Sequence, residues 1–235
     1  MKQLYLRLFS GALPLFFLLF VHQSSAQTCA DGSPQQGTSF DTTIRVASGV
    51  VNTSVKFPKF NPGNGRMVTC VNLCITIKGI IDTTAVENYE TSSNTYSYTY
   101  TRKDTITGPG IPTFLNSNAN IVSPTYPLSP TNGVPGSGPD FYSHGPDTIL
   151  TRVICSNISD SASIVQFYGV NDSVTYNYKV DASLSAAFSG ASVSQFILSS
   201  ALVNFHFSYC SCPALSLPLS IDKFNLKKLL KQKRN

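Results

Sequence analysis

The side chains in this chain best suited to covalent, metal or proton-transfer chemistry are six cysteines (Cys29, Cys70, Cys74, Cys155, Cys210 and Cys212) and three histidines (His22, His144 and His206). Cys70-x3-Cys74 and Cys210-x-Cys212 have the close spacing of metal-ligand pairs. Structural zinc sites, however, combine two such pairs or add histidines at set spacing. His206 is the only histidine near either pair, and no Cys-x-x-Cys occurs for redox exchange. Six is an even number, so in an oxidising compartment the set reads as up to three disulfides with open connectivity. Neither a metal nor a cofactor is expected.

Parity along the strand refines that reading. Side chains alternate between the two faces of a strand. In 67–79, Met67, Thr69, Val71, Leu73, Ile75 and Ile77 share one face, and Cys70, Asn72, Cys74, Thr76 and Lys78 share the other. In 203–212, Val203, Phe205, Phe207 and Tyr209 oppose Asn204, His206, Ser208, Cys210 and Cys212. Both cysteine pairs therefore lie on polar faces, where disulfides staple neighbouring segments onto the outside of a sheet.

His144 sits in Tyr142-Ser143-His144-Gly145-Pro146-Asp147, with Asp140 nearby. A histidine beside carboxylates and a serine has the parts of an acid–base or nucleophilic site. Without a Gly-x-Ser-x-Gly elbow or a supporting second histidine, His144 reads as a loop residue and His206 as a strand-face residue. Glu87 and Glu90 are the only glutamates and share one short segment, which is too little for the paired carboxylates of glycoside hydrolysis. No Asp-x-Asp-x-Asp-Gly calcium loop is present. The expectation is a non-enzyme, with a hydrolase built around His144 as an alternative. Tyr96, Tyr98 and Tyr100 form a ladder that either packs across strands or stacks sugars. Packing is the preferred reading, and a carbohydrate-binding module is the second alternative.

Asn52-Thr53-Ser54, Asn157-Ile158-Ser159 and Asn171-Asp172-Ser173 match the Asn-x-Ser/Thr pattern. Asp followed by Ser or Thr and then a small, aliphatic or Thr residue occurs at Asp41-Thr42-Thr43, Asp82-Thr83-Thr84, Asp104-Thr105-Ile106, Asp147-Thr148-Ile149, Asp160-Ser161-Ala162 and Asp172-Ser173-Val174. The pattern resembles the O-glycosylation motif of exported Bacteroidota proteins and makes Thr42, Thr83, Thr105, Thr148, Ser161 and Ser173 candidate attachment sites. Asp-Ser/Thr pairs also favour turns, and that is the preferred reading.

The elements that must position these residues are strands. The 235 residues are 42% hydrophobic but only 12% charged, against about 25% in ordinary soluble domains, which excludes a coiled coil and a charge-rich disordered chain. The net charge of +5 divides unevenly. The body from Gln27 to Asp222 has nine basic and twelve acidic residues, and six basic residues crowd the last stretch from Lys223. Nucleic acid is therefore not an expected partner. Lys2 and Arg7, the apolar run Leu8 to Val21, and Ser24-Ser25-Ala26 have the layout of a secretory signal cleaved before Gln27. This implies a secreted or cell-surface protein.

Period-two alternation recurs at Phe40–Val46, Tyr96–Tyr100 and Val174–Val180, with further β-rich runs at Thr148–Cys155, Ile164–Gly169 and Gln195–Leu202. The expected fold is an all-β antiparallel β-sandwich of about seven to nine strands over residues 27–212. Gly108–Pro146 holds 14 Gly and Pro in 39 residues and reads as one long loop, with at most a short strand near Asn120–Val122.

Phe57-Pro58-Lys59-Phe60-Asn61-Pro62, Gly65, the run Val68–Ile77 and Val86-Glu87-Asn88 resemble the opening of the choice-of-anchor E domain. Phe167-Tyr168-Gly169 and Val174–Val180 suit its second half. The resemblance covers roughly residues 40–209 and implies an exported bacterial surface module with a structural, adhesive or binding role. It supplies no catalytic residues. Its implied partners are cell-surface or extracellular macromolecules, glycans among them. Leu217-Pro218-Leu219-Ser220-Ile221-Asp222-Lys223-Phe224 resembles the start of type IX sorting regions of Bacteroidota, here cut short. Leu229 and Leu230 within the basic tail of residues 213–235 suit weak contact with an anionic membrane surface.

Overall fold

The computed structural model describes residues 28–111 and 113–214. The expected signal segment and the tail from Leu215 onward lie outside the described residues. The chain divides into two units, Met1–Gln35 and Gln36–Asn235. In the first, Thr28 and Pro34 form an antiparallel bridge, and the Cys29 N–H donates to the Ser33 carbonyl at 2.8 Å.

The second unit is built from β1 (Gln36–Ala47), β2 (Gly49–Pro58), β3 (Arg66–Asn88), β4 (Asn94–Thr107), β5 (Leu115–Val122), β6 (Tyr126–Leu128), β7 (Phe141–His144), β8 (Asp147–Ile158), the single helical turn α1 (Ser161–Ile164), β9 (Ser173–Phe188) and β10 (Val193–Pro213). Every strand pairing is antiparallel. One sheet runs β1-β10-β3, with β7 and β8 end to end along the far edge of β3. The other runs β2-β9-β4, with β5 and β6 along the far edge of β4. The two sheets pack face to face as an all-β sandwich.

Alternation explains the core. Val71, Leu73, Ile75 and Ile77 of β3, Val203, Phe205, Phe207 and Tyr209 of β10, and Val174, Tyr176, Tyr178 and Val180 of β9 are all buried. Each large side chain of this kind contributes about 1.5–3 kcal/mol on burial. The motif aromatics join this core, with Phe57 stacked on Phe207 at 4.7 Å and Phe60 edge-on to Tyr209 at 5.7 Å. The Val68 N–H donates to the Tyr168 hydroxyl at 2.6 Å.

Strands β3 and β10 are 23 and 21 residues long and reach beyond this core to a second cluster around Val86, Tyr96 and Leu128. The passage between the clusters is marked by irregularities in the β3–β10 register at Leu198/Ser199 and in the β3–β8 register at Gly79/Ile80. A bulge shifts side-chain parity by one. Accordingly Ile77 and Ile81 face the core before it, and Thr84 and Val86 after it. Gly79 gives close packing here, since a Cβ would stand 3.1 Å from the Leu150 Cβ and 3.2 Å from the Tyr100 hydroxyl.

Three expectations are corrected. A bulge at Cys210/Ser211 flips the start of β3, so Val68 is buried while Met67, assigned to the core face with Thr69, is 52% exposed. The run Ile164–Gly169 is not a strand. Asp160 caps a helical turn there, accepting the Ser163 N–H at 2.7 Å, and residues 165–167 continue as a 3-10 turn. Gly108–Pro146 carries β5, β6 and β7 rather than one long loop. In β5, Leu115, Ser117, Ala119 and Ile121 are half-buried while Asn116, Asn118, Asn120 and Val122 are exposed.

Candidate functional site

All six cysteines are disulfide-bonded. Cys70 stands directly opposite Cys210, and Cys74 directly opposite Cys155, with Cα–Cα distances of 4.9 Å and 4.1 Å. Both bonds lie on the outer face of β3 and tie it to each of its long neighbours. Beside them on the same face, Asp41 meets His206 Nδ1 at 3.0 Å. The Asp41 carboxylate thus holds the His206 ring through Nδ1. Among the described residues no group of three or more His, Cys, Asp or Glu is arranged to hold a metal ion.

His144 and Asp147 do come together, Nε2 to Oδ2 at 3.4 Å, with both side chains about half exposed. Asp140 does not take part in that pair. It is fully buried, and its Oδ2 accepts the Asn132 N–H at 2.9 Å while its Oδ1 has no partner. It organises the 129–140 turn, in which Ser129 N–H bonds the Pro139 carbonyl at 3.0 Å. Glu87 accepts from the Gly136 N–H and the Tyr89 hydroxyl, both at 2.9 Å. Glu90 accepts the Ala191 and Ser192 N–H groups, which hold its carboxyl below the usual range. These carboxylates serve the loops at one end of the sandwich.

The tyrosine ladder points inward. Tyr96 and Tyr100 are fully buried, and Tyr98 is half-buried. Tyr96 packs against Tyr126, Tyr142 and Phe188 at 5.6–5.9 Å, and Tyr126 lies 4.6 Å from Tyr142. Burial pushes Tyr96 up to about 12. The same parity carries Arg102 and Asp104 into the interior, a feature missed in the sequence although the ladder predicts it. Their side chains are 1% exposed and pair at 2.9 Å. Arg102 also donates to the Tyr178 hydroxyl at 2.7 Å and the Tyr100 hydroxyl at 3.3 Å, and Tyr178 donates to Asp104. Burial opposes the charge on Arg102, but Tyr178 and Asp104 outweigh it and raise its pKa.

The aspartates of the Asp-Ser/Thr pattern have other work. Asp41 and Asp147 hold histidines, Asp82 pairs with Arg45, Asp104 pairs with Arg102, Asp160 caps α1, and Asp172 pairs with Lys59 at 2.7 Å. Of the attachment candidates, Thr148 and Ser161 are exposed, and Thr42, Thr83, Thr105 and Ser173 are half-buried.

The outer face of β2-β9-β4 carries a different arrangement. Asn52, Lys179 and Thr105 form one row across it, continued by Asn116 of β5, and Ser54, Asn177 and Thr107 form the next. All of these except Asn116 line an open depression of about 540 Å³. No ligand-binding motif marks this site in the sequence, although Asn52 and Thr105 fall within glycan-attachment patterns. Its signal is the outward half of each alternating strand.

Fold and cysteines together define a disulfide-stapled, two-sheet β-sandwich suited to an oxidising compartment. No family model matches the chain, and no curated protein matches it. Two structures of infectious bursal disease virus, of the Gt and Gx strains, share 10% and 12% identity over 86% of this chain, with TM-scores of 0.12 and 0.11. The chain spans about half the length of those chains, 49% and 50%. Likeness at that level carries no argument about function.

Proposed function

We propose that this chain is an exported bacterial surface or secreted module of the choice-of-anchor E kind, with a structural, adhesive or binding role and no catalysis. The observation that carries the reading is the pair of cross-strand disulfides on the outer face of β3, Cys70–Cys210 and Cys74–Cys155, in a chain with no free cysteine. Disulfides of this kind persist in oxidising compartments and are removed in reducing ones. The aromatic motif residues Phe57, Phe60 and Phe167 support the same reading as packing residues of the sandwich, since all three are buried. The test is protease shaving of intact native cells together with analysis of the culture medium. Peptides of this chain released from the surface or found in the medium support export, and confinement to the cytoplasm rejects it.

A further inference from the structure

The geometry points to an acidic-glycan site on the outer face of β2-β9-β4, centred on Lys179. This deepens the binding role proposed above by naming the ligand class.

The first observation is how the cations are distributed. The body carries nine basic residues against twelve acidic ones. Of the nine, Arg45, Lys59 and Arg102 are in ion pairs, and Arg66 donates to Ser211 at 3.1 Å to its hydroxyl and 2.6 Å to its carbonyl. Lys56, Lys103 and Lys179 have no salt bridge and are exposed on this one face, while Lys78 and Arg152, also without one, are exposed on the other sheet. Asp181, opposite Lys103, is the acidic residue that alternation places among them. Three lysines against one aspartate make this face locally positive.

The second observation is the chemistry around the charge. Lys179 lies between Asn52 and Thr105, and the neighbouring row is Ser54, Asn177 and Thr107. Amide and hydroxyl groups both donate and accept, as neighbouring sugar hydroxyls require. The depression they line, about 540 Å³, is open to solvent, so a ligand would lie across it rather than be enclosed. An ammonium covered by ligand needs an anionic partner to offset its desolvation, so the saccharide should carry a carboxylate or sulfate. Lys56 lies opposite Thr175, four residues along β9 from Lys179, or about 13 Å at strand spacing. That spacing suits a polymer crossing the face better than a single sugar.

Other polyanions fit less well. The lining has no exposed aromatic on which a base could stack, and no apolar group that would enter a bilayer. Asn52 and Thr105 belong to glycan-attachment patterns, so the experiment uses chain made in cells that do not glycosylate it, with its disulfides intact.

The test is affinity electrophoresis of the full mature chain in gels containing polygalacturonate, dextran sulfate or unsubstituted dextran. Retardation is expected in polygalacturonate, in dextran sulfate or in both, which identifies the anion, and not in dextran. Charge-assisted hydrogen bonds contribute about 1.5–3 kcal/mol, so Lys179→Ala should weaken binding by about tenfold or more. Asn177→Ala should weaken it too, and Lys78→Ala on the other sheet should not. All three positions are exposed, and unchanged melting curves confirm folding. No retardation by either acidic polymer overturns the proposal. So does equal loss from Lys179→Ala and Lys78→Ala, equal retardation by dextran, or equal binding to duplex DNA or phosphatidylserine vesicles. Export is measured separately by surface shaving, so failure of either idea leaves the other standing.

Discussion

Arg102 and Asp104, two residues apart on β4, both point into the sandwich and form an ion pair at 2.9 Å with 1% side-chain exposure. Hydroxyls of Tyr100 and Tyr178 complete the cluster, so neither charge is left without partners. Burying a pair gives little net stability, whereas breaking one strands a charge. Asp104→Ala should therefore destabilise the fold by about 3–5 kcal/mol, and Arg102→Met/Asp104→Leu should recover much of that loss. Urea denaturation of the three proteins checks this. Equal loss in the single and double variants would mean packing, not charge, sets the cost.

Alkaline unfolding should begin near the ordinary tyrosine value of 10. Burial pushes Tyr96 up to about 12, and Tyr142, Tyr176, Tyr178 and Tyr209 are also raised, chiefly by burial. A raised pKa means the folded state favours the neutral phenol. That stabilisation is complete below about pH 10 and is lost as pH rises through the folded values. Tyrosinate absorbance followed with circular dichroism should show the buried tyrosines ionising only as the sheet signal disappears.

The Cys74–Cys155 bond closes a segment of 81 residues. Chain-entropy reasoning gives about 4.5 kcal/mol for a loop of that size. Cys74→Ala/Cys155→Ala should lower stability by an amount of that order while leaving the Cys70–Cys210 bond in non-reducing peptide maps.

Phe57 is 1% exposed and stacked on Phe207, whereas Phe196 is 56% exposed. Phe57→Ala should cost about 3–5 kcal/mol, and Phe196→Ala should change stability by no more than about 0.5 kcal/mol. Thermal denaturation of both variants distinguishes a packing motif from a surface one.

Period-two alternation made the sandwich legible, because inward Val, Ile, Phe and Tyr stand against outward Ser, Thr and Asn on strands such as β4 and β9. The same pattern extended two steps past Tyr100 reaches Arg102 and Asp104, but charged residues read as solvent-facing until the fold supplies their tyrosine partners. Bulges defeat parity at a distance. Nothing in the sequence around Thr69 or Asp82 marks the one-residue shift that exposes Met67 and buries Thr84. Strand β5 was hidden by its three asparagines, which suit loops but here line an exposed sheet face. The 164–169 run was too short for its period to separate strand from helix, although Asp160 supplied a cap. The depression around Lys179 joins residues from β2, β4 and β9, so only the strand order brings it together.

The most direct test of the central claim is intact-mass analysis, before and after reduction, of the protein recovered from fractions of its native host. The account predicts a chain beginning at Gln27 in the surface or medium fraction. Its peptide mass should rise by six hydrogens on reduction, as six bonded cysteines require. An unprocessed chain in the cytoplasm with six free thiols would contradict compartment, staples and proposed role together.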